Sequence, residues 1–357
     1  MSETTQLNSK TPLFFNKKKT LVNFVLVLVS ILISLLVVEI YLIKINYPYQ
    51  NCETVNQTSE FFLGEFNHKT GWSYQKSISF FDKDGKYEYY FDENGIRSSD
   101  ENYQIDYQKP RILFVGGSVT FGEGLHYEDT FPAQINSLLE DRFEVINLGV
   151  QGFGSAQSMA YLKIMIEKIR PSYVIYTFIQ DHINRDINYD RRLHVKCFEF
   201  SGTKPVFTLK NNKLEQVKKP QEYKSVDRFK ILLFLSMSYQ NFLEKILMKN
   251  EVAIDITKAI INEVSNLSNE NNARDYYIYY DTLYEASPNS WNDYLSSRVF
   301  GGVEKGKVLN FTNWADDSKK TGLKYYISSD DDYHPNASLS AEIAKKFVDK
   351  FGDEFND

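Results

Sequence analysis

A chain of 357 residues can bury one large core and still hold an anchor and insertions. Its formal net charge of −6, from 41 basic and 47 acidic residues, argues against a general nucleic-acid binder, so no nucleic-acid partner is expected. The 25 Tyr and 26 Phe should sit mostly in strands and core, leaving a minority in loops where sugars can stack.

Residues 1–19 are polar and end in Lys17-Lys18-Lys19. An apolar run follows from Leu21 to Ile43, interrupted only by Asn23, Ser30, Ser34 and Glu39. As a helix it spans roughly 35 Å at about 1.5 Å per residue, enough for a bilayer. A signal-peptide core is usually shorter, and the bulky Glu39-Ile40-Tyr41 gives no small-residue cleavage site. The expectation is a cytoplasmic tail at 1–19 and a single transmembrane helix at 20–44, with Glu39 near the outer end and within reach of headgroups. A cleaved signal and a buried core helix are the alternatives. Lysines ahead of the run keep the N-terminus in the cytoplasm. The remainder then lies in a periplasm or at a cell surface, where a disulfide between Cys52 and Cys197 is permitted. Asn56, Asn266, Asn310 and Asn336 match the glycosylation pattern, a weak signal.

Residues 45–109 read as a juxtamembrane, β-rich cap. Asn67-His68-Lys69-Thr70-Gly71-Trp72 opens it. Ser79-Phe80-Phe81 and Tyr87–Phe91 are aromatic enough for strands, joined through Asp82-Lys83-Asp84-Gly85. Asp92-Glu93-Asn94-Gly95 is a second turn, before Ile96-Arg97. Packing on the following domain and binding substrate both fit this segment.

The stretch Arg111–Gly124, RILFVGGSVTFGEG, reads as a buried strand stopped by a Gly pair at a sharp turn. Ser118 sits just past the strand's C-terminal end, where ligands bind in open α/β sheets. A structural turn is one reading. A phosphate cradle is disfavoured, because Glu123 stands where the phosphate-binding Lys must be. A nucleophilic Ser is the third, and it needs a His base and an orienting carboxylate elsewhere.

A helix is predicted over Thr130–Phe143, a strand at Val145-Ile146, a helix over Ala156–Ile169 and a buried strand at Tyr173–Phe178. This βαβαβ run predicts a parallel sheet with right-handed crossovers. Arg185, Asp186, Arg191, Arg192 and His194 crowd one segment, read as a solvated charged loop or as a recognition loop for an anionic or sugar substrate. Within an insertion at 195–250, Val206–Leu214 reads as a hairpin turning at Asn211-Asn212. Phe229–Leu247 reads as a helix, in a lid or on a second membrane-contacting surface. A helix at Val252–Leu267 and strands at Asp275–Tyr284 and Val308–Thr312 bring the count to five parallel strands.

Near the C-terminus, Asp331-Asp332-Tyr333-His334-Pro335-Asn336 precedes an amphipathic helix marked by Leu339, Ile343, Phe347 and Phe351. His334 lies on the loop entering that helix, next to a Pro that favours a helix start. Asp331 is close enough in sequence to reach the imidazole from the same loop. The Asp330–Asp332 run has no companion ligand spacing, so no metal or other cofactor is expected.

Ser first and Asp-x-x-His last resembles the SGNH (GDSL-type) hydrolase family, over about Pro110–Asp357. Gly116-Gly117-Ser118 stands where the family has Gly-Asp-Ser, with Gly117 replacing the Asp. Asn147-Leu148-Gly149-Val150-Gln151-Gly152 is similar to the second block, with Gly152 as its oxyanion glycine. The third block, normally Gly-x-Asn-Asp, reads Ile179-Gln180-Asp181-His182, and Asp181 falls at the Asn position. The amide donor is thus missing, or comes from Gln180, His182 or Asn184.

The resemblance implies a flavodoxin-like, three-layer αβα domain at 110–357 with a central parallel five-stranded sheet, preceded by one transmembrane helix. It implies a catalytic Ser118, His334 and Asp331, with an oxyanion hole from Ser118, Gly152 and the altered position Asp181. His182 and Arg185 are the substrate-binding candidates. The implied activity is ester hydrolysis or O-acyl transfer on an acylated, extracytoplasmic glycan. A degenerate, non-enzymatic glycan-binding or assembly protein is the alternative.

Overall fold

The computed structural model describes residues 17–49, 64–82, 85–195, 200–249, 251–280, 289–312 and 334–355. Asp331, the Asp330–Asp332 run, Cys52, Cys197 and Asn56 lie outside them. The first described element is a long helix, α1 (Lys17–Lys44), apolar and long enough to cross a membrane, with none of its most apolar eighteen-residue window buried against protein. Among the described residues, only its last turns touch the rest of the chain, where Leu42 is buried.

The cap segment forms β1 (Gly64–Asn67), β2 (Gly71–Tyr74), β3 (Ile78–Phe81), β4 (Glu88–Phe91) and β5 (Arg97–Ser98). Strands and helices then alternate as β6 (Arg111–Gly116), α2 (Ser118–Phe121), α3 (Phe131–Leu138), β7 (Glu144–Gly149), α4 (Ser155–Ile169), β8 (Tyr173–Ile179) and α5 (His182–Ile187). The hairpin β9 (Val206–Lys210) and β10 (Lys213–Lys218) and the short α6 (Tyr223–Val226) lead into α7 (Lys230–Lys249) and α8 (Val252–Glu270). The chain continues through β11 (Arg274–Tyr280), α9 (Asn289–Val299), β12 (Val308–Phe311) and α10 (Ala337–Phe351).

Among the described residues the central sheet has eight strands in the order β12-β11-β8-β6-β7-β5-β4-β3, not the five expected. β12, β11, β8, β6 and β7 run parallel. The other three come from the cap: β5 pairs antiparallel with the edge of β7 at Arg97 and Asn147, and β4 and β3 follow as antiparallel neighbours. An unpaired edge offers a row of free N–H and C=O groups, and here the cap occupies it. β1 and β2 form a separate hairpin.

The parallel strands are apolar at nearly every position, as strands covered on both faces must be. Every residue of β8 is buried. Side chains alternate between two cores. Leu113, Val115, Val174 and Tyr176 face the core beneath α4 and α8, whereas Ile112, Phe114, Ile175 and Tyr276 face the core beneath α3 and α10. α3 ends sooner than its apolar spacing predicts, because Glu140 and Asp141 adopt left-handed backbone after Leu139. The β9–β10 turn places Asn211 and Asn212 at positive φ, the two-residue hairpin geometry that Asn tolerates.

The crowded charges after β8 do not form a solvated loop. Asp186 and Arg192 are buried, and each is satisfied internally. Asp186 accepts from the Ala156 amide and the Thr257 hydroxyl. Arg192 holds Asp190 and Asp227 and stacks 3.6 Å over the Tyr223 ring. Buried charges survive only when paired or hydrogen-bonded, and here Arg192 has carboxylate partners and Asp186 has hydrogen-bond donors.

Candidate active site

Ser118 begins α2 directly after the Gly116-Gly117 turn at the C-terminal end of β6. The turn is braced from two sides. Buried Asn147 donates to the Thr120 carbonyl at 2.8 Å and accepts from the Gly149 amide at 2.9 Å, stapling α2 to β7. From the cap, the Arg97 guanidinium donates to the carbonyls of Phe121, Gly122 and Leu125, closing the C-terminal end of α2. The Asn-Gly-x-Arg stretch before the domain therefore places an arginine on the serine turn.

His334 arrives from the other end of the chain. Two residues later the Asn336 side chain accepts from the Leu339 amide at 3.0 Å and caps α10, which fixes where the loop enters. The His334 Nε2 lies 2.7 Å from Ser118 Oγ, and both residues are buried. That is the reach a general base needs to take the hydroxyl proton.

Glu123, which the sequence reading used only to reject a phosphate loop, also belongs to this constellation. Its amide bonds back to the Ser118 carbonyl at 3.2 Å. Its carboxylate Oε2 lies 3.7 Å from His334 Nε2, an ion-pair distance once the imidazole is charged. The only sequence signal was its position in the same turn as Ser118.

Gly152 follows β7 with φ +76°, and a Cβ there would sit 2.8 Å from the Phe200 ring. Both facts require glycine. The peptide before it is pinned by the cap. Trp72 Nε1 donates to the Gln151 carbonyl at 3.1 Å. In a trans peptide the next N–H points the opposite way, so the Gly152 amide is turned away from the indole. The Tyr74 hydroxyl accepts from the Gln151 amide at 3.1 Å and donates to the Gln151 side-chain oxygen at 2.9 Å. Burial raises the Tyr74 pKa well above the ordinary phenol value, so it stays a neutral bridge. Sequence motif reading missed the contributions of Trp72 and Tyr74, which lie about eighty residues upstream.

The Asp181 carboxylate is bound to Arg185 Nε at 2.6 Å, with Asn184 Nδ2 at 3.2 Å and Arg191 at 3.6 Å. Burial pushes its pKa up, but Arg185 and Arg191 outweigh burial and hold the carboxyl well below the usual carboxylate range. His182 is buried, shares a 3.0 Å hydrogen bond between Nδ1 and the Tyr176 hydroxyl, and has a pKa held well below its ordinary value, chiefly by burial. Arg185 is buried as well and donates to the Phe153 carbonyl at 2.9 Å. A Cβ on Gly117 would lie 3.3 Å from His182 Nε2 and 3.6 Å from Arg185 Nη1. His182 and Arg185, from the segment after β8, thus share one space with Gly117 of the serine turn.

No protein-family model matches the sequence, and no curated protein matches it. Solved structures with a similar chain course include the psychrotrophic esterase EstA from Pseudoalteromonas sp., at 14% identity and TM-score 0.37, over 70% of this chain and 100% of that one. LAE5, an alpha/beta hydrolase enzyme from the metagenome of Lake Arreo, aligns at 14% identity and TM-score 0.40, over 68% and 95%. A catalytic mutant of Axe2, an acetylxylan esterase from Geobacillus stearothermophilus, aligns at 15% identity and TM-score 0.39, over 68% and 94%.

Proposed function

We propose that the chain is a serine esterase or O-acyltransferase of the SGNH type, anchored by α1, acting on acetyl or other acyl esters of extracytoplasmic glycans. The observation that carries this reading is the 2.7 Å approach of His334 Nε2 to Ser118 Oγ at the C-terminal edge of the parallel strands. Numbered among themselves, those strands run 2-1-3-4-5, which supports a flavodoxin-like core with its site at the switch between the first and third. Lysines ahead of α1 support an N-terminus in the cytoplasm and a domain outside it.

In this reading His334 takes the proton of Ser118 as Oγ attacks the ester carbonyl carbon. The tetrahedral oxyanion is bound by the amides of Ser118 and Gly152. Collapse breaks the bond to the alcohol oxygen, which leaves with the proton from His334, and an acyl group remains on Ser118. Water or a sugar hydroxyl then attacks, giving hydrolysis or transfer through the same intermediate. Asp331 is assigned the role of orienting the imidazole. His182 and Arg185 are assigned a supporting position behind Gly117, because both are buried.

The alternative, a degenerate glycan-binding or assembly protein, is favoured by one observation: an arginine-bound carboxylate at Asp181 replaces the family's amide donor. A labelled fluorophosphonate probe separates the two. It should mark Ser118 in the full chain and leave Ser118→Ala unmarked. A folded chain that takes no label would overturn the enzymatic reading.

A further inference from the structure

α7 carries apolar residues on two faces. Toward the domain it buries Leu233 and Met237 together with the polar Gln240 and Glu244. Glu244 accepts from Asn188 at 2.8 Å and from Gln240 at 3.0 Å, and meets His194 at 2.8 Å. On the opposite face Leu232, Leu235, Tyr239, Phe242 and Ile246 recur at three- and four-residue spacing, and all are exposed, Phe242 by 60%. A surface helix normally places its apolar stripe on the core and its polar residues outward.

The outer end of α1 indicates what covers this stripe. Glu39 is the one acidic residue in α1. Its carboxylate accepts from the Lys230 amide at 2.8 Å and the Ile231 amide at 2.7 Å, capping the first turn of α7. The Tyr47 ring, just beyond α1, packs edge-on against Phe234 at 5.7 Å, and its hydroxyl reaches Met237 Sδ at 3.5 Å. α7 is therefore fixed at two points, to Glu39 of α1 and to Tyr47 just after it. Glu39 stands about 7.5 Å along the helix axis from Lys44, within the depth of about 5–10 Å at which interfacial helices bury their apolar faces. Charge points the same way. Lys245 and Lys249 are exposed, while the helix's one acid, Glu244, is turned inward. Basic side chains beside an apolar stripe suit anionic headgroups.

We propose that α7 lies in the plane of the membrane surface at the exit of α1, with Leu232, Leu235, Tyr239, Phe242 and Ile246 in the lipid. The proposal rests on the reading of α1 as a membrane span. It gives Glu39 a role as the joint between a spanning and an interfacial helix.

The test reconstitutes the full chain in phosphatidylcholine–phosphatidylglycerol vesicles, with and without brominated acyl chains. Leu28→Trp probes the middle of α1, Phe242→Trp probes α7, and Leu138→Trp on α3 probes the opposite side of the sheet. The tryptophan emission each variant adds to the parent is compared. Loss of the added emission on brominated lipid at 28 and 242, with retention at 138, is the expected result. Loss at 28 with retention at 242 overturns the proposal and leaves the anchor standing. If the retained 242 emission is blue-shifted and the chain runs as a dimer, the stripe belongs to a second copy, which overturns it equally. Retention at 28 overturns the anchor itself.

Discussion

β6 and β8 are neighbours in the sheet, buried along their length, and each delivers polar residues at its C-terminal end. Their outcomes differ. After β6, the backbone of the turn is held by Asn147 and Arg97, and the Ser118 hydroxyl meets His334. After β8, the polar side chains are held by one another: Asp181 by Arg185, His182 by Tyr176, and Asp186 by Thr257 and the Ala156 amide. On the proposed reading, the contrast teaches that the end of a parallel strand can serve as a reactive site where the fold secures the backbone and leaves a side chain for chemistry. Where the side chains secure the fold, the same location is a foundation.

The sharpest way to break this comparison is to remove the side chains at the β6 end. Ser118→Ala and His334→Ala should each lower turnover of a small acetyl ester by about 10⁴-fold or more, with melting temperature nearly unchanged. The double variant should lose little beyond either single one, because residues that act as a unit are not additive. Multiplying losses would mean that the 2.7 Å contact is not the working pair.

The contribution of the cap can be measured one step lower. Trp72→Phe keeps the ring and removes the donor that holds the Gln151 carbonyl. Loosening the Gly152 amide should reduce kcat by about tenfold, which is about 1.4 kcal/mol of transition-state stabilisation, with KM little changed. The lost hydrogen bond itself should cost about 1 kcal/mol of stability. Equal kcat in Trp72→Phe and the parent would reduce Trp72 to a packing residue.

Much of this arrangement was legible in the sequence where pattern and chemistry coincide. The apolar run into Gly116-Gly117 marked β6, and the Leu339, Ile343 and Phe347 spacing marked α10, so Ser118 and His334 stood out toward opposite ends of the domain's sequence. The added strands β3 and β4 were legible as strands but not as members of the central sheet, and β5 was legible only as the residues after a turn. Pairing across about fifty residues, Arg97 opposite Asn147, leaves no local signature. The same holds for Trp72 and Gln151, and for Glu39 and the first turn of α7, where each partner alone looks like an isolated polar interruption. The charges after β8 misled for a different reason. Charge density in sequence is the same whether each group faces water or a partner, and only the fold decides between them.

The smallest expected effect tests the β8 end, through Asp181→Asn. The carboxylate is about a third exposed, and its exchange breaks a pair with Arg185 while leaving an amide that can still accept a hydrogen bond. At pH 7 the loss should be about 1 kcal/mol, the upper range for a pair open to solvent, read as a fall of about 2–4 °C in melting temperature. The folded pKa of Asp181 is depressed, so its stabilising contribution is present above the ordinary carboxylate pKa of about 3.9 and disappears as pH falls through the lower folded value. The stability difference between parent and Asp181→Asn should therefore narrow below about pH 4. Hydrolysis of a small ester should change by no more than about threefold, because a carboxylate held by Arg185 contributes little at the oxyanion. A tenfold rise in hydrolysis would instead mean that Asp181 opposes the developing oxyanion and that the β8 end is part of the reactive site after all.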